Sequence, residues 1–542
     1  MKTWKVVLIR CPQPLLYGKE SGKLYSPNRS LTPEPTLAQL HGIINDWSQK
    51  SGVLVEVRQL DLRHPANGKI ERVCYGELEL PYLNEKVEKV YFGVRLEKVK
   101  EIIEATDFVG FTNNFTMSRR VVCDHIAWVR EKFPKKEIWA GGRDLFPEKV
   151  QKIYARFARK KNFVVFNGHT FQSLPQYLFW RTIGRGDLHG VTIYSSTGEK
   201  KEFPTLKLTD FAGEKQEFQI PLPLYTHPEY LDYFQGSGEG QPWPTFGRFV
   251  HMTISIGCPN ACGYCTTGYR EHFLVWKNME DIRRELDMYK SMHVKTVAIM
   301  DDNLLAIELE KLKEIMALIN SYDFDIEYGN GLQLSLLAKH WNELKGPLFE
   351  RCVSLYAPLE DLTRDKMYDK LDDTKSQLKL MQKIAKEKPG ALKYVTMGVI
   401  CGVPGHTKEK LQGSFLNNIK TFLEVFRGSG LQVGVTVFNY MPLAGTKFGD
   451  LALNSGRMVV ADSYVQDPEV CSFGTTSYAP AGVAHCEVFA VYEEALNLNP
   501  AGKEFGLTYV DLQRLGEKAF ADPNHCPSHW RVPGFHLRAE VN

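Results

Sequence analysis

Short apolar runs alternate with helix-length segments along most of this chain, and the alternation falls into two separate series. Residues 5–9 (KVVLI), 53–60 (VLVEVRQL), 107–112 (DFVGFT), 137–142 (EIWAGG) and 163–168 (FVVFNG) make up the first. Between them apolar residues recur at helical spacing, as in Val121, Ile126, Trp128, Val129 and Phe133, or Val150, Ile153 and Phe157. Each run has the character of a buried parallel strand, and five β-then-α units predict a doubly wound sheet. Such sheets bind ligands outside the carboxyl ends of their strands. Those ends carry Thr112-Asn113-Asn114, Gly141-Gly142-Arg143 and Asn167-Gly168-His169, which are therefore candidate ligand contacts, although the glycines also suit plain tight turns.

The second series comprises 250–256 (VHMTISI), 294–300 (VKTVAIM), 324–329 (FDIEYG), 352–357 (CVSLYA), 393–401 (KYVTMGVIC) and 431–438 (LQVGVTVF). Intervening segments keep one apolar face: Met279, Ile282, Leu286 and Tyr289 in one, and Leu411, Phe415, Ile419, Phe422 and Phe426 in another. Six β/α units predict a partial barrel rather than the eight of a closed one. Residues 181–247, with RTIGRGDLHG, STGEKKEFP and FQGSGEGQPWP, are rich in Gly, Pro and charge and read as a linker. Residues 450–542, with punctuation from Gly474 to Gly482 and a His-rich end (His525, His529, Trp530, His536), are expected to form a small C-terminal domain capping the substrate site. The expected class is α/β, with a Rossmann-like domain over 1–180 and a partial (β/α)6 barrel over 248–449.

Hydrophobic residues are 43% of 542 and charged residues 24%, the balance of a globular protein rather than a disordered or fibrous one. The net charge is only +3 and no long basic run occurs, so nucleic acid is not an expected partner. No stretch approaches the roughly 18 apolar residues of a membrane span, and MKTWKVVLIRCPQP has too short an apolar core for a signal peptide. A cytoplasmic location is expected.

Three of the eleven cysteines, Cys258, Cys262 and Cys265, are crowded into one C-x3-C-x2-C segment in the loop after the first strand of the second series. The other eight (Cys11, Cys74, Cys123, Cys352, Cys401, Cys471, Cys486, Cys526) are scattered. A [4Fe–4S] cluster normally takes four cysteines, so three leave one iron open to a further ligand. A zinc site completed by His251 or His272 is the alternative, although zinc sites usually pair two short spacings and none is present.

With Tyr264 before its last cysteine, the segment resembles the C-x3-C-x-aromatic-C signature of radical S-adenosylmethionine enzymes. The resemblance implies that Cys258, Cys262 and Cys265 hold a [4Fe–4S] cluster whose open iron chelates S-adenosylmethionine. It further implies contacts to that molecule from Tyr264, from Asp301 and Asp302 in Asp301-Asp302-Asn303, where the family more often has Gly-Gly-Glu, and from Glu360 near the ribose. Gly402, within Gly398 to Thr407, resembles the fifth-strand loop, and Met441, within Met441 to Thr446, the sixth-strand loop.

A doubly wound domain before such a barrel is similar to the cobalamin-dependent branch of this family, over roughly residues 1–445. The likeness implies that a loop with Pro33 to Leu37, together with Thr112, Asn113, Asn114, Gly141, Gly142, Arg143, Gly168 and His169, surrounds a corrin. The D-x-H-x-x-G motif that supplies a histidine to cobalt is not found: Asp61-Leu62-Arg63-His64 and Asp187-Leu188-His189-Gly190 both have the wrong spacing. The implied cofactors are a [4Fe–4S] cluster, S-adenosylmethionine and cobalamin. The implied partners are a small-molecule or peptide substrate and an electron donor such as flavodoxin or ferredoxin. The leading expectation is methyl transfer to a carbon centre, the alternative a cyclisation or rearrangement, and the remote one a non-catalytic cobalamin or redox sensor.

Overall fold

The computed structural model describes residues 3–21, 25, 35–63, 67–114, 116–159, 161–206, 216–225, 248–267, 273–360, 362–363, 373–459 and 475–498. The N-terminal part supplies β1 (Trp4–Arg10), β2 (Pro14–Gly18), β3 (Val55–Asp61), β4 (Glu71–Glu79), β5 (Lys86–Gly93), β6 (Phe108–Thr112), β7 (Glu137–Gly141), β8 (Phe163–Phe166), β9 (Val191–Tyr194) and β10 (Lys200–Phe203). Seven of these form one sheet in the order β10-β9-β8-β7-β6-β1-β3. The five expected strands run parallel within it. Chain order reverses at β1, so a crevice opens between the carboxyl ends of β1 and β6. Successive β1 residues face opposite layers, as the pleat requires. Val7 and Ile9 pack with Val121, Ile126 and Val129 of the helix Arg119–Lys132, while Val6 and Leu8 pack with Ile43 and Trp47 of the helix Pro35–Ser51 and Leu174 and Tyr177 of the helix Thr170–Ile183.

Two features depart from the sequence expectations here. β2, β5 and β4 form a separate three-stranded antiparallel sheet, whose Leu16 and Val87 enter the core of the second half. In the stretch expected to be linker, β9 pairs antiparallel with β8, β10 pairs antiparallel with β9, and β11 (Glu217–Phe218) joins a later strand. Four-residue strands flanked by glycine and charge carry too little periodicity to be read locally. Residues 207–215 and 226–247 of that stretch lie outside the described residues.

The second half begins with β12 (Arg248–Met252), β13 (Ser255–Gly257) and β14 (Leu274–Lys277), then β15 (Val294–Ile299), β16 (Asp325–Tyr328), β17 (Cys352–Glu360), β18 (Tyr394–Cys401) and β19 (Gln432–Asn439). Six strands make the sheet β12-β15-β16-β17-β18-β19, every neighbouring pair parallel, which is the expected partial barrel. The crossover helices follow from their patterning and caps. Asn278, for example, accepts the Asp281 amide at 2.8 Å to start Met279–Ser291, whose Ile282, Leu286 and Tyr289 are buried. The expected first strand does not run through 250–256. It breaks at Thr253-Ile254, and β13 turns away to pair antiparallel with β14. Beyond the barrel, the helix His485–Asn497 buries Val488, Val491 and Tyr492 in the barrel's own core. Residues 460–474 and 499–542 of the expected C-terminal domain lie outside the described residues.

Candidate functional site

The cysteine loop leaves β13 at Gly257 and returns to β14. Cys262 is buried, Cys258 and Cys265 are partly exposed, and none of the three forms a disulfide. The Cys265 amide donates to the Cys262 carbonyl at 3.0 Å, and the Phe448 amide donates to the Gly263 carbonyl at 2.8 Å. Only glycine fits at 263, because a Cβ there would stand 2.9 Å from the Phe448 ring. Asn260 Nδ2 donates to Gln333 Oε1 at 3.1 Å, and Asn303 Nδ2 to Cys258 Sγ at 3.6 Å. Burial pushes the Cys258 thiol pKa up. Tyr264 and Met441 pack against one cluster with Val403, Tyr440 and Phe448, so the loops after the first, fifth and sixth barrel strands meet. Gly402 sits beside that cluster, at the end of β18.

Among the described residues, no three His, Cys, Asp or Glu side chains stand close enough to hold a single metal ion. A four-iron cluster asks something different of the three cysteines, because each thiolate binds its own iron. Of the two histidines considered for zinc, His251 lines the cavity described below and His272 lies outside the described residues.

Adjacent carboxylates at the end of β15 point to different tasks. Asp301 is fully buried, accepting the Ile254 amide at 2.9 Å and both the amide and hydroxyl of Ser255. It thereby braces the strand break at Thr253-Ile254. Burial, opposed by these hydrogen bonds and by Lys277, pushes its pKa from 3.8 up to about 6. A raised pKa means that the folded state holds the proton more tightly, so the group favours folding below about pH 4 and loses that contribution as pH rises through 6. The rise is worth about 3 kcal/mol. Urea unfolding at pH 7.0 and at pH 4.5 should therefore find the wild type gaining about 2 kcal/mol on acidification relative to Asp301→Asn; an unchanged difference would contradict the assignment.

Asp302 faces the mouth, where Arg143 Nη2 meets its two carboxylate oxygens at 3.0 and 3.1 Å and Thr267 Oγ1 donates at 3.4 Å. The pair bridges the two sheets. With Arg143 half exposed, it contributes at most about 1 kcal/mol, so packing holds the halves together. Glu360 ends β17 at φ +63°, where a register shift after Pro358 re-aims it. A left-handed glutamate is a strained placement of the kind that gathers at functional sites.

A cavity of about 750 Å³ lies between the carboxyl edges of the two sheets. The first sheet lines it with Thr112, Asn114, Gly141, Gly142, Arg143, Gly168 and His169, and the barrel with His251, Thr253, Met300 and Asn330. Thr112 Oγ1 is buried there without a hydrogen-bond partner among the described residues. Asn113 lies behind this lining. Its Nδ2 donates to Asp144 Oδ2 at 2.8 Å inside a buried network with Arg119, so it braces the loops from behind and does not line the cavity. Sequence reasoning missed Arg63, which lines the cavity while held by Asp61 at 2.6 and 2.8 Å, and the buried Lys277–Glu285 pair at 2.5 Å. Also missed was a strap, residues 216–225, whose Ile220, Pro223 and Tyr225 line the cavity. It is tied to the helix Pro35–Ser51 by Leu224 N–H to the Ala38 carbonyl at 2.9 Å and by Gln39 Nε2 to the Pro221 carbonyl at 2.5 Å.

No family model matches the sequence. A curated relative, tRNA-2-methylthio-N(6)-dimethylallyladenosine synthase from Clostridium tetani, is 24% identical over a stretch covering 34% of this chain. The chain spans 46% of that relative's length. Among solved structures, the radical S-adenosylmethionine methyltransferase TsrM from Kitasatospora setae, with cobalamin and a [4Fe–4S] cluster bound, matches with a TM-score of 0.58 at 12% identity, covering 95% of this chain and 98% of TsrM. TsrM with tryptophan substrate and a S-adenosylmethionine analogue bound gives 0.55, covering 84% of this chain and 77% of TsrM. The cobalamin-dependent S-adenosylmethionine radical enzyme OxsB, with aqua-cobalamin bound, gives 0.53 at 11% identity, covering 99% of this chain and 64% of OxsB. The chain has the fold of these enzymes.

Proposed function

We propose that this chain is a cobalamin-dependent radical S-adenosylmethionine enzyme that moves a methyl group from S-adenosylmethionine, by way of cobalamin, to a carbon centre of a small-molecule or peptide substrate. The observation that carries the proposal is the position of the cavity. It opens between the carboxyl edges of the parallel strands of two sheets, and its rim residue Arg143 meets Asp302 beside the loop of three cysteines. The donor set suits the group: three thiolates leave one iron of a cluster open. Cys258, Cys262 and Cys265 would hold the cluster. Asp302, Glu360, Gly402, Tyr264 and Met441 would hold S-adenosylmethionine. Thr112, Asn114, Gly141, Gly142, Arg143, Gly168 and His169 would surround cobalamin, and the buried, unpaired Thr112 hydroxyl suits a peripheral amide.

When bound, these groups supply a transferable methyl and, on one-electron reduction by a donor of the flavodoxin or ferredoxin class, a 5′-deoxyadenosyl radical. The chain's own work is orientation and exclusion of water. The strap covers part of the space between the edges, so a substrate would be held there with its reacting carbon facing both cofactors before reaction. Label from the methyl of S-adenosylmethionine should appear in product carbon, with one S-adenosylhomocysteine per turnover. One 5′-deoxyadenosine per product marks a radical route, and none a polar one. Unlabelled product formed at full rate would remove methyl transfer and favour cyclisation.

A further inference from the structure

A chain of hydrogen bonds stands behind Cys258. Gln333, which precedes the helix Leu334–Lys339, donates from Nε2 to Ser335 Oγ at 3.0 Å while its Oε1 accepts. That oxygen receives Asn260 Nδ2 at 3.1 Å and Asn303 Nδ2 at 2.8 Å. The Asn303 amide is thereby oriented with its nitrogen inward. One of its N–H groups is committed to Gln333, and the other donates to Cys258 Sγ at 3.6 Å. Asn303 is 4% exposed, so water competes weakly for that donor. The same chain of bonds ties the carboxyl end of β15, the entry to the helix after β16 and the cysteine loop into one piece.

An N–H directed at a ligating sulfur stabilises the more negatively charged, reduced form of an iron–sulfur cluster and so raises its reduction potential. We propose that Asn303, oriented by Gln333, is a positioning residue that sets the cluster's reduction potential through Cys258. This inference rests on the assignment of a cluster to the three cysteines made above. It concerns the potential, and it asks nothing of Asn303 in binding substrate.

The test is a redox titration of anaerobically reconstituted full-length protein, followed by electron paramagnetic resonance and paired with iron analysis. Asn303→Leu should keep about four irons per chain and move the midpoint to more negative potential. Gln333→Leu, which leaves the Asn303 amide free to turn, should move it the same way by less. Asn260→Ala removes the other side-chain donor to Gln333 while keeping the Asn260 backbone amide that hydrogen-bonds Cys258, and should leave the midpoint in place. A merely structural role would alter iron content or thermal stability, with no shift in potential. If Asn303→Leu cannot retain iron, Gln333→Leu decides the matter. Wild-type protein that binds no iron would overturn the cluster assignment itself. Iron-loaded variants with an unmoved midpoint, or an equal shift in Asn260→Ala, would overturn only the role of Asn303.

Discussion

Replacing Cys258, Cys262 and Cys265 together with alanine should lower bound iron from about four atoms per chain to none in anaerobically reconstituted protein. The loss should come without unfolding. The loop's ends are fixed by contacts that do not use sulfur: Asp301 on the Ile254 and Ser255 amides, Phe448 against Gly263, and Asn260 on Gln333. Far-ultraviolet circular dichroism and the urea midpoint of the unloaded chain should therefore match those of unloaded wild type, and cobalamin retention in the other sheet should persist. Zinc retained by the wild type in place of iron would reverse the cluster assignment.

The second large effect is expected at Gly42, in the helix Pro35–Ser51 beneath the strap. On helix propensity alone, Gly42→Ala would stabilise the chain by about 1 kcal/mol. A Cβ at this position, however, would stand 1.9 Å from the backbone carbonyl oxygen of Leu222, and backbone cannot swing aside as a side chain does. Overpacking of this kind costs about 1–3 kcal/mol and outweighs the propensity gain. The variant should lower the urea midpoint. It should also weaken cobalamin retention on gel filtration roughly tenfold, the equivalent of about 1.4 kcal/mol, with iron content unchanged. A variant as stable as wild type or more so would mean that the strap does not press on this helix.

The parallel strands of both sheets were legible because strands buried on both faces carry continuous apolar runs, as in residues 163–166 and 394–401. The cysteine triad was legible because ligand spacing within one loop is local. The rest depends on partners far along the chain. The break at Thr253-Ile254 is made by a carboxylate 46 and 47 residues away, and nothing in VHMTISI announces it. β4 (ERVCYGELE) breaks strict alternation with a bulge at Cys74–Gly76 and buries none of its residues fully, so its sheet was missed. Asn113 and Asn114 are neighbours of one residue type, yet one braces Asp144 and the other lines the cavity. Only the turn between them decides which.

The strap also imposes an order of events. The first sheet is complete once Phe203 has left the ribosome, but Pro223 and Tyr225 follow later, and until they dock the sheet's binding edge stands uncovered. The hydrogen bond from Leu224 to Ala38 that holds the strap spans 186 positions of the chain, so the helix Pro35–Ser51 is made long before the segment that covers it.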